Sequence, residues 1–366
     1  MNILVTGSNG FIGKNLCIKL KELGFTDIIT FDSDNTDEYL NLALEKAEFI
    51  FHLAGINRPK NDEEFTIGNT GLTEKIVNKI ISLERSVPLL LSSSIQSDLD
   101  NPYGQSKANA ELAVKQYGEL TKSPVYIYKL PNVFGKWCRP NYNSMVATFC
   151  NNVANDLPIT INNPDAVVSL VYIDDVCEQF CNHLTELDAA TEITPIYKKT
   201  VGEVAALLNE FKSSRNTLIT NNVGVGFTRA LYSTYLSYLE PIDFSYTVPA
   251  YTDPRGTFCE MLKTPSAGQF SYFTAHPGIT RGGHYHHTKN EKFLVIKGNA
   301  LFRFEDVLTG EKSELVVSAL EHRIVETVPG WTHDVTNIGD DELIVMLWAN
   351  EIFDREKPDT FAKEIK

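Results

Sequence analysis

The chain is poor in the features that mark secreted, membrane-spanning and nucleic-acid-binding proteins. Its 366 residues include six cysteines, Cys17, Cys138, Cys150, Cys177, Cys181 and Cys259, and none forms a C-x2-C pair. That absence excludes zinc-ribbon and thioredoxin-like motifs and predicts free, buried thiols in a reducing compartment. No run approaches the roughly 18 consecutive apolar residues of a membrane span. Met1 leads into the apolar segment NILVTG with no basic stretch or cleavage site before it, so a cytoplasmic protein without a membrane partner is expected. Basic residues are outnumbered, 33 Lys and Arg against 47 Asp and Glu, a formal net charge of −14. With no basic stripe to displace counterions, no nucleic-acid partner is expected. An anionic small substrate stays open, because a local pocket can be basic on an acidic protein.

What is present is a core-forming composition, 43% hydrophobic and 22% charged, over a length that fits two domains. The segment NILVTG reads as a strand, followed by a glycine turn and the helical pattern FIGKNLCIKLKELG. Gly7, Gly10 and Gly13 therefore lie where a strand ends and a helix begins. There backbone N–H groups can approach a pyrophosphate at the positive helix end. A second strand, DIITFD, ends in Asp32, at the distance where an acid accepts adenosine ribose hydroxyls. A third, AEFIFHLAG, ends in His52, Leu53, Ala54 and Gly55. Alternating strands and helices predict a doubly wound parallel sheet, an α/β fold.

Further on, PLLLSSSIQ runs a strand into three serines, and NPYGQSKANAELAVKQYG opens a helix carrying Tyr103 and Lys107. A spacing of four puts both side chains on one helical face. A lysine ammonium there is expected to lower the phenol's pKa, and a serine hydroxyl can hold a carbonyl or alcohol; the set suits proton transfer coupled to hydride transfer. Asp174 and Asp175, in VYIDDV, read as a helix N-cap and first-turn acid.

After about residue 243 the helical patterns give way to short β-rich runs separated by Gly, Pro and Asn, which predicts an antiparallel barrel or sandwich. Before that boundary Tyr232, Tyr235 and Tyr238 form a stripe read as packing between domains or subunits. Beyond it, GITRGGHYHHTKNEKFLVIKG fills a pattern G-x5-H-x-H-x4-E-x6-G with Gly278, His284, His286, Glu291 and Gly298. On a strand His284 and His286 share a face, and His287 points away. Gly298 and Asn299 are expected to close a hairpin between KFLVI and ALFRF. His333, in VPGWTHDVTN, supplies a fourth donor. Imidazoles with a carboxylate bind zinc, iron, manganese or nickel, and the ligand set alone does not choose; zinc is the expectation.

The motifs TGSNGFIG, HLAG, SSS, YGQSK, LPNVFG and VSLVYIDDV resemble the extended short-chain dehydrogenase/reductases, with a Rossmann domain over residues 1–243. The resemblance implies Tyr103 as acid/base, Lys107 as its partner on the nicotinamide ribose, and Ser94, or Ser93, as the third member. It also implies a dinucleotide cradle of Gly7, Gly10, Phe11, Ile12, Gly13, Asp32, Leu53 and Ala54, completed by Tyr103 and Lys107. The histidine motifs resemble the cupins over residues 244–366, and DPRGTFCEMLK with GITRGGHYHH is similar to their deoxysugar 3,5-epimerases. The second cupin motif departs from its usual form, because Pro329 and Gly330 are adjacent.

The whole arrangement resembles bifunctional enzymes of UDP-N-acetyl-L-fucosamine synthesis for bacterial capsule or O-antigen. That likeness implies a homodimer acting on a UDP-4-keto-6-deoxy-N-acetylhexosamine, with C3 epimerisation in the cupin and C4 reduction in the Rossmann domain. Asp32 alone points to NAD, since an acid repels the 2′-phosphate of NADP. The resemblance and the reducing role imply NADPH, which is the expectation. The alternative is a single-activity 4-ketoreductase whose cupin only binds sugar or supports a dimer.

Overall fold

The computed structural model describes all residues except 187–188, 254–255, 260–261, 263–267 and 352–355. Pro254, Arg255, Glu260, Met261 and Lys263 of the DPRGTFCEMLK segment fall outside the described residues. By internal packing the chain forms two units, Met1–Ser144 with Val168–Lys198, and Met145–Val167 with Lys199–Lys366.

In the first unit, strands β1 (Ile3–Thr6), β2 (Ile28–Phe31), β3 (Phe49–His52), β4 (Leu89–Ser94) and β5 (Val125–Leu130) form a parallel sheet in the order β2-β1-β3-β4-β5. Strands β1 and β3 are buried along their whole length. Their near-continuous apolar runs follow from helices covering both sheet faces. The chain leaves β1 toward β2 and then crosses to β3 on the other side, so the switch in winding direction lies between β1 and β3. In such sheets that crevice, at the strands' carboxyl ends, is where ligands bind. β6 (Asn132–Phe134), β7 (Val167–Tyr172) and β8 (Tyr197–Thr200) make a smaller sheet. The helix Ile173–Asn182 carries both Asp174 and Asp175 in its first turn, and its N-cap is Tyr172. The cap expected of these acids is therefore absent. Asp174 instead accepts from the buried Lys136 Nζ at 2.6 Å.

The second unit is antiparallel. One five-stranded sheet runs β12-β19-β14-β17-β9, from β9 (Ser245–Thr247), β12 (Gln269–Ala275), β14 (Glu291–Lys297), β17 (Arg323–Glu326) and β19 (Leu343–Ala349). The other runs β16-β15-β18-β13-β20, from β13 (Thr280–Tyr285), β15 (Asn299–Asp306), β16 (Lys312–Ser318), β18 (Trp331–Asn337) and β20 (Phe361–Ala362). The pair β10 (Ala250–Asp253) and β11 (Gly256–Cys259) stands apart. This is the all-β architecture the cupin resemblance implies. The hairpin expected at Gly298 is not formed, because β14 and β15 belong to different sheets. Gly298, at φ +91°, turns the chain from one sheet into the other, a conformation that favours glycine.

The helices Met145–Ala154, Val201–Thr217 and Gly226–Leu236 belong to the unit that holds the β-rich half. Tyr232 and Tyr235 are buried against Phe211, with ring centroids 4.9 and 6.1 Å away. Beside them, Lys292 of β14 donates to Glu326 of β17 at 2.6 Å and to the Tyr246 hydroxyl at 2.6 Å. Arg215 donates to the other Glu326 oxygen at 2.5 Å. Burial favours the neutral forms, yet Glu326 holds Lys292 up, and Lys292 and Arg215 hold Glu326 down. The cluster is thus fully charged, and Lys292 and Glu326 face each other in register. No helix among the described residues is long and apolar enough to cross a membrane. Glu326→Gln leaves two buried cations without their carboxylate and is expected to cost about 3–5 kcal/mol. Asp156→Asn, at the exposed Lys212 pair, is expected to cost at most about 1 kcal/mol. Denaturant melts of the two variants check the contrast.

Candidate functional site

At the carboxyl end of β1 the glycine turn is packed too closely for any side chain. A Cβ on Gly7 (φ +70°) would lie 2.7 Å from Ala54 N, and one on Gly13 would lie 2.2 Å from Gly7 O. The loop after β1 and the Leu53–Ala54 loop after β3 therefore touch at the switch point. The helix Phe11–Glu22 starts there with no acidic residue in its first turn, leaving its positive end open to an anion. The loop is held from β2: the Asp32 carboxylate accepts from the Ser8 hydroxyl and from Asn9 N–H at 2.9 and 3.2 Å. Asp32 thus has a structural task that accounts for an acid here whichever dinucleotide binds.

His52, 1% exposed, ties the same region together. Thr73 donates its hydroxyl to Asn69 O at 2.7 Å, so it accepts from His52 Nε2 at 2.9 Å. His52 Nδ1 is then the acceptor for the Thr6 hydroxyl at 2.7 Å, and Thr6 Oγ1 accepts from Ala54 N–H at 3.2 Å. Burial and the Lys107 charge hold this imidazole neutral, at about 3.

The helix Pro102–Thr121 begins with the Asn101 side chain accepting from Gly104 N–H at 2.8 Å and proline at its first position. It carries Tyr103 in its first turn, packed on Phe65 at 5.4 Å between centroids. Ser94, at the end of β4, lies near the Tyr103 hydroxyl and pulls the phenol's pKa down. Ser93 is engaged on the other side, donating to the buried Glu111 at 2.5 Å. Lys107 donates to Ser92 O at 3.0 Å. Burial lowers it to about 8, against the opposing pull of Glu111.

The expected lowering of the Tyr103 pKa is not found. Burial pushes the phenol up, and the nearby Ser94 hydroxyl offsets this only in part. A phenol that stays protonated at neutral pH suits giving a proton away. Asn69 lies in the π-turn Thr66–Gly71, accepting from Ile56 N–H at 2.8 Å and donating to Ser106 Oγ at 2.9 Å. Sequence reasoning missed Asn69 and Glu111; the one available signal was Glu111 four residues beyond Lys107.

In the second unit, His284, His286, Glu291 and His333 come together, with one donor atom of each within 4.8 Å of the others. His284 on β13 pairs directly with His333 on β18, after a bulge at Gly282 where φ is +107°. That bulge re-aims the strand. His286 lies just past β13, and Glu291 opens β14. His287 lies against Phe361 and Tyr285, at 4.9 and 5.7 Å between centroids, away from the cluster. The adjacent Pro329 and Gly330 are accommodated by φ +81° at Gly330, whose N–H donates to His286 O at 2.9 Å.

The donor set fits a divalent cation. His286 Nδ1 donates to Asp359 O, so on a neutral ring Nε2 keeps its lone pair, and that atom stands 3.4 Å from Glu291 Oε2. His333 Nε2 stands 3.5 Å from the same oxygen, and both its ring nitrogens are buried without a hydrogen bond among the described residues. Lone pairs facing a carboxylate call for a positive centre between them. Burial holds His333 and His284 neutral, His284 at about 3. Burial alone would raise Glu291, yet its carboxyl is held well below the usual carboxylate range. Lys289 Nζ occupies the other oxygen, Oε1, at 3.0 Å.

Residues 3–196 match the NAD dependent epimerase/dehydratase family. The chain belongs to that family. Residues 251–361 of this epimerase/dehydratase-family protein match the Polysaccharide biosynthesis C-terminal domain. Over 365 residues it is 55% identical to UDP-2-acetamido-2,6-beta-L-arabino-hexul-4-ose reductase of Pseudomonas aeruginosa, covering 99% of this chain and 98% of that one. It is 28% identical over 205 residues to GDP-6-deoxy-D-talose 4-dehydrogenase of Aggregatibacter actinomycetemcomitans, covering 49% of this chain and 68% of that one. Among solved structures it is similar to the capsular polysaccharide assembling protein CapF from Staphylococcus aureus. That likeness has a TM-score of 0.69 and 40% identity, and it covers 100% of both chains.

The histidine cluster is expected to hold about one divalent ion per chain. Elemental analysis of the purified protein checks this: His284→Ala and His333→Ala are expected to lose the ion, and His287→Ala to keep it.

Proposed function

We propose that the chain is a bifunctional nucleotide-sugar enzyme acting on UDP-2-acetamido-2,6-dideoxy-4-hexulose. The β-rich half, from about residue 244, inverts C3, and the Rossmann half reduces the C4 ketone with NADPH to give UDP-2-acetamido-2,6-dideoxy-L-talose. The product would feed UDP-N-acetyl-L-fucosamine synthesis for capsule or O-antigen. The observation that carries this reading is the presence, in one chain, of a Ser94–Tyr103–Lys107 constellation and a neutral-imidazole and carboxylate cluster. Likeness across the whole chain to a named 4-ketosugar reductase and to a capsular polysaccharide assembling protein supports it.

Bound NADPH supplies the hydride that C4 receives. Tyr103 gives its hydroxyl proton to the C4 oxygen as that hydride arrives, so the ketone becomes an alcohol and the phenol is left as a phenolate to be reprotonated from solvent. Ser94 holds the same oxygen through its hydroxyl, and the charged Lys107 steadies the phenolate. Arg58 and Arg139 both lie over the Tyr142 ring, at 5.7 and 5.3 Å, and no carboxylate pairs with either among the described residues. On a chain of net charge −14, two such guanidiniums suit the substrate's diphosphate.

In the second site His284, His286, Glu291 and His333 would hold a divalent ion, with zinc the expectation. The ion supplies positive charge beside an oxygen that becomes negative when C3 loses its proton. The ketone makes that proton acidic. Epimerisation alone equilibrates two similar sugars; reduction removes the ketone and locks the configuration. NADPH is preferred over NADH because the role is reductive and Asp32 is already engaged by the glycine loop.

The test is NADPH oxidation by the full chain on the 4-keto sugar, with NMR of the product. Tyr103→Phe is expected to slow oxidation by about 10²–10⁴-fold. Reduction is expected to fall as pH rises through about 8, where Lys107 loses its proton. Faster turnover with NADH, or a product with unchanged C3 configuration, contradicts the proposal.

A further inference from the structure

The histidine loop is not held by its own sequence neighbours. His286 lies beyond the last residue of β13, and residues 286–290 belong to no strand, so no ladder fixes that imidazole. Besides Gly330 N–H on His286 O and Ser233 Oγ on Thr288 O, the contacts at the imidazole and the turn after it come from the far end of the chain. β20 pairs with β13, setting Ala362 against His284 and Phe361 against Tyr285, and Lys363 N–H donates to Gly283 O at 2.9 Å. Two residues before this strand pair the backbone carbonyl of Asp359 accepts from His286 Nδ1. The Asp359 side chain then receives three consecutive backbone N–H groups: His287 on Oδ1 at 2.9 Å, and Thr288 and Lys289 on Oδ2 at 2.6 Å each. The Thr288 hydroxyl adds a fourth donor at 3.0 Å. Successive N–H groups converging on one anion form a strong, directional cradle. Here the anion belongs to the protein and is more than seventy residues away in sequence.

Resting on the reading of the cluster as a metal centre, we propose that Asp359 is a positioning residue of that centre. Its carbonyl sets the His286 tautomer, with the proton on Nδ1 and the Nε2 lone pair turned into the cluster. Its carboxylate locks the turn that carries the chain from His286 to Glu291 and sets the backbone of Lys289, whose ammonium occupies Glu291 Oε1. Outer partners of this kind are worth about 10–100-fold in metal affinity when removed. Among the described residues the Asp359 carboxylate contacts no donor of the cluster, so its effect on the ion is transmitted through His286 and the turn.

The experiment uses the full chain and zinc ion, with affinity read by competition against a chromophoric chelator. A second readout is the visible absorption of the cobalt(II)-loaded protein, which reports the ligands around the ion. Asp359→Asn keeps the side chain's shape while removing its charge and one acceptor, and serves if Asp359→Ala does not fold. Either variant is expected to bind zinc 10–100-fold more weakly and to show a changed cobalt spectrum. Zinc affinity within twofold of the parent overturns the proposal. So does weaker binding with an unchanged spectrum, because a merely structural role produces that result. If the parent chain binds no zinc or cobalt, the reading as a metal centre fails instead, which is a different outcome from either.

Discussion

Both candidate sites depend on one kind of interaction: a carboxylate from a distant part of the chain accepting N–H and hydroxyl groups of a loop. Asp32, at the end of β2, gathers Ser8 and Asn9 and so fixes the glycine turn after β1. Asp359, just before β20, gathers His287, Thr288 and Lys289 and so fixes the turn between His286 and Glu291. A loop has no ladder of its own, and its unsatisfied N–H groups are costly when buried. An ionised acceptor removes that cost and selects one backbone conformation, because charge-assisted hydrogen bonds are about twice as strong as neutral ones.

The protonation states that follow are complementary. Around the Rossmann crevice, burial keeps His52 neutral and the Tyr103 phenol protonated, while Lys107 sits near the middle of the accessible pH range. That is the state required to hand a proton to a ketone oxygen. In the β-rich unit, His284 and His333 are neutral and Glu291 is ionised. That is the state required to receive a cation. Each arrangement is set by burial first and by the nearest charge second.

Much of this was legible in the sequence wherever function lies on regular elements. Gly7, Gly10 and Gly13 follow a strand, and Tyr103 and Lys107 lie four apart on one helix, so local periodicity is enough to find them. Legibility failed where the answer depends on what lies across the fold. The turn at Gly298 looks like a hairpin, but the chain changes sheets there, a choice made by pairing with β17, β18 and β19. The sign of the Tyr103 shift was misjudged because helix spacing reveals the lysine and hides the burial. Lys136 with Asp174, Ser93 with Glu111, and Asp359 with the histidine loop are contacts between segments 18 to 72 residues apart. No local pattern announces them.

The central claim is that one ketone serves two separate steps, and it is tested most directly by hydrogen exchange at C3. The full chain carrying Tyr103→Phe is incubated with the UDP-4-keto sugar in D2O without reduced cofactor, beside the same chain carrying His333→Ala as well. The account predicts deuterium at C3 with the single variant and a large loss of that exchange with the double variant. Absence of exchange with the single variant, or equal exchange in both, would contradict it.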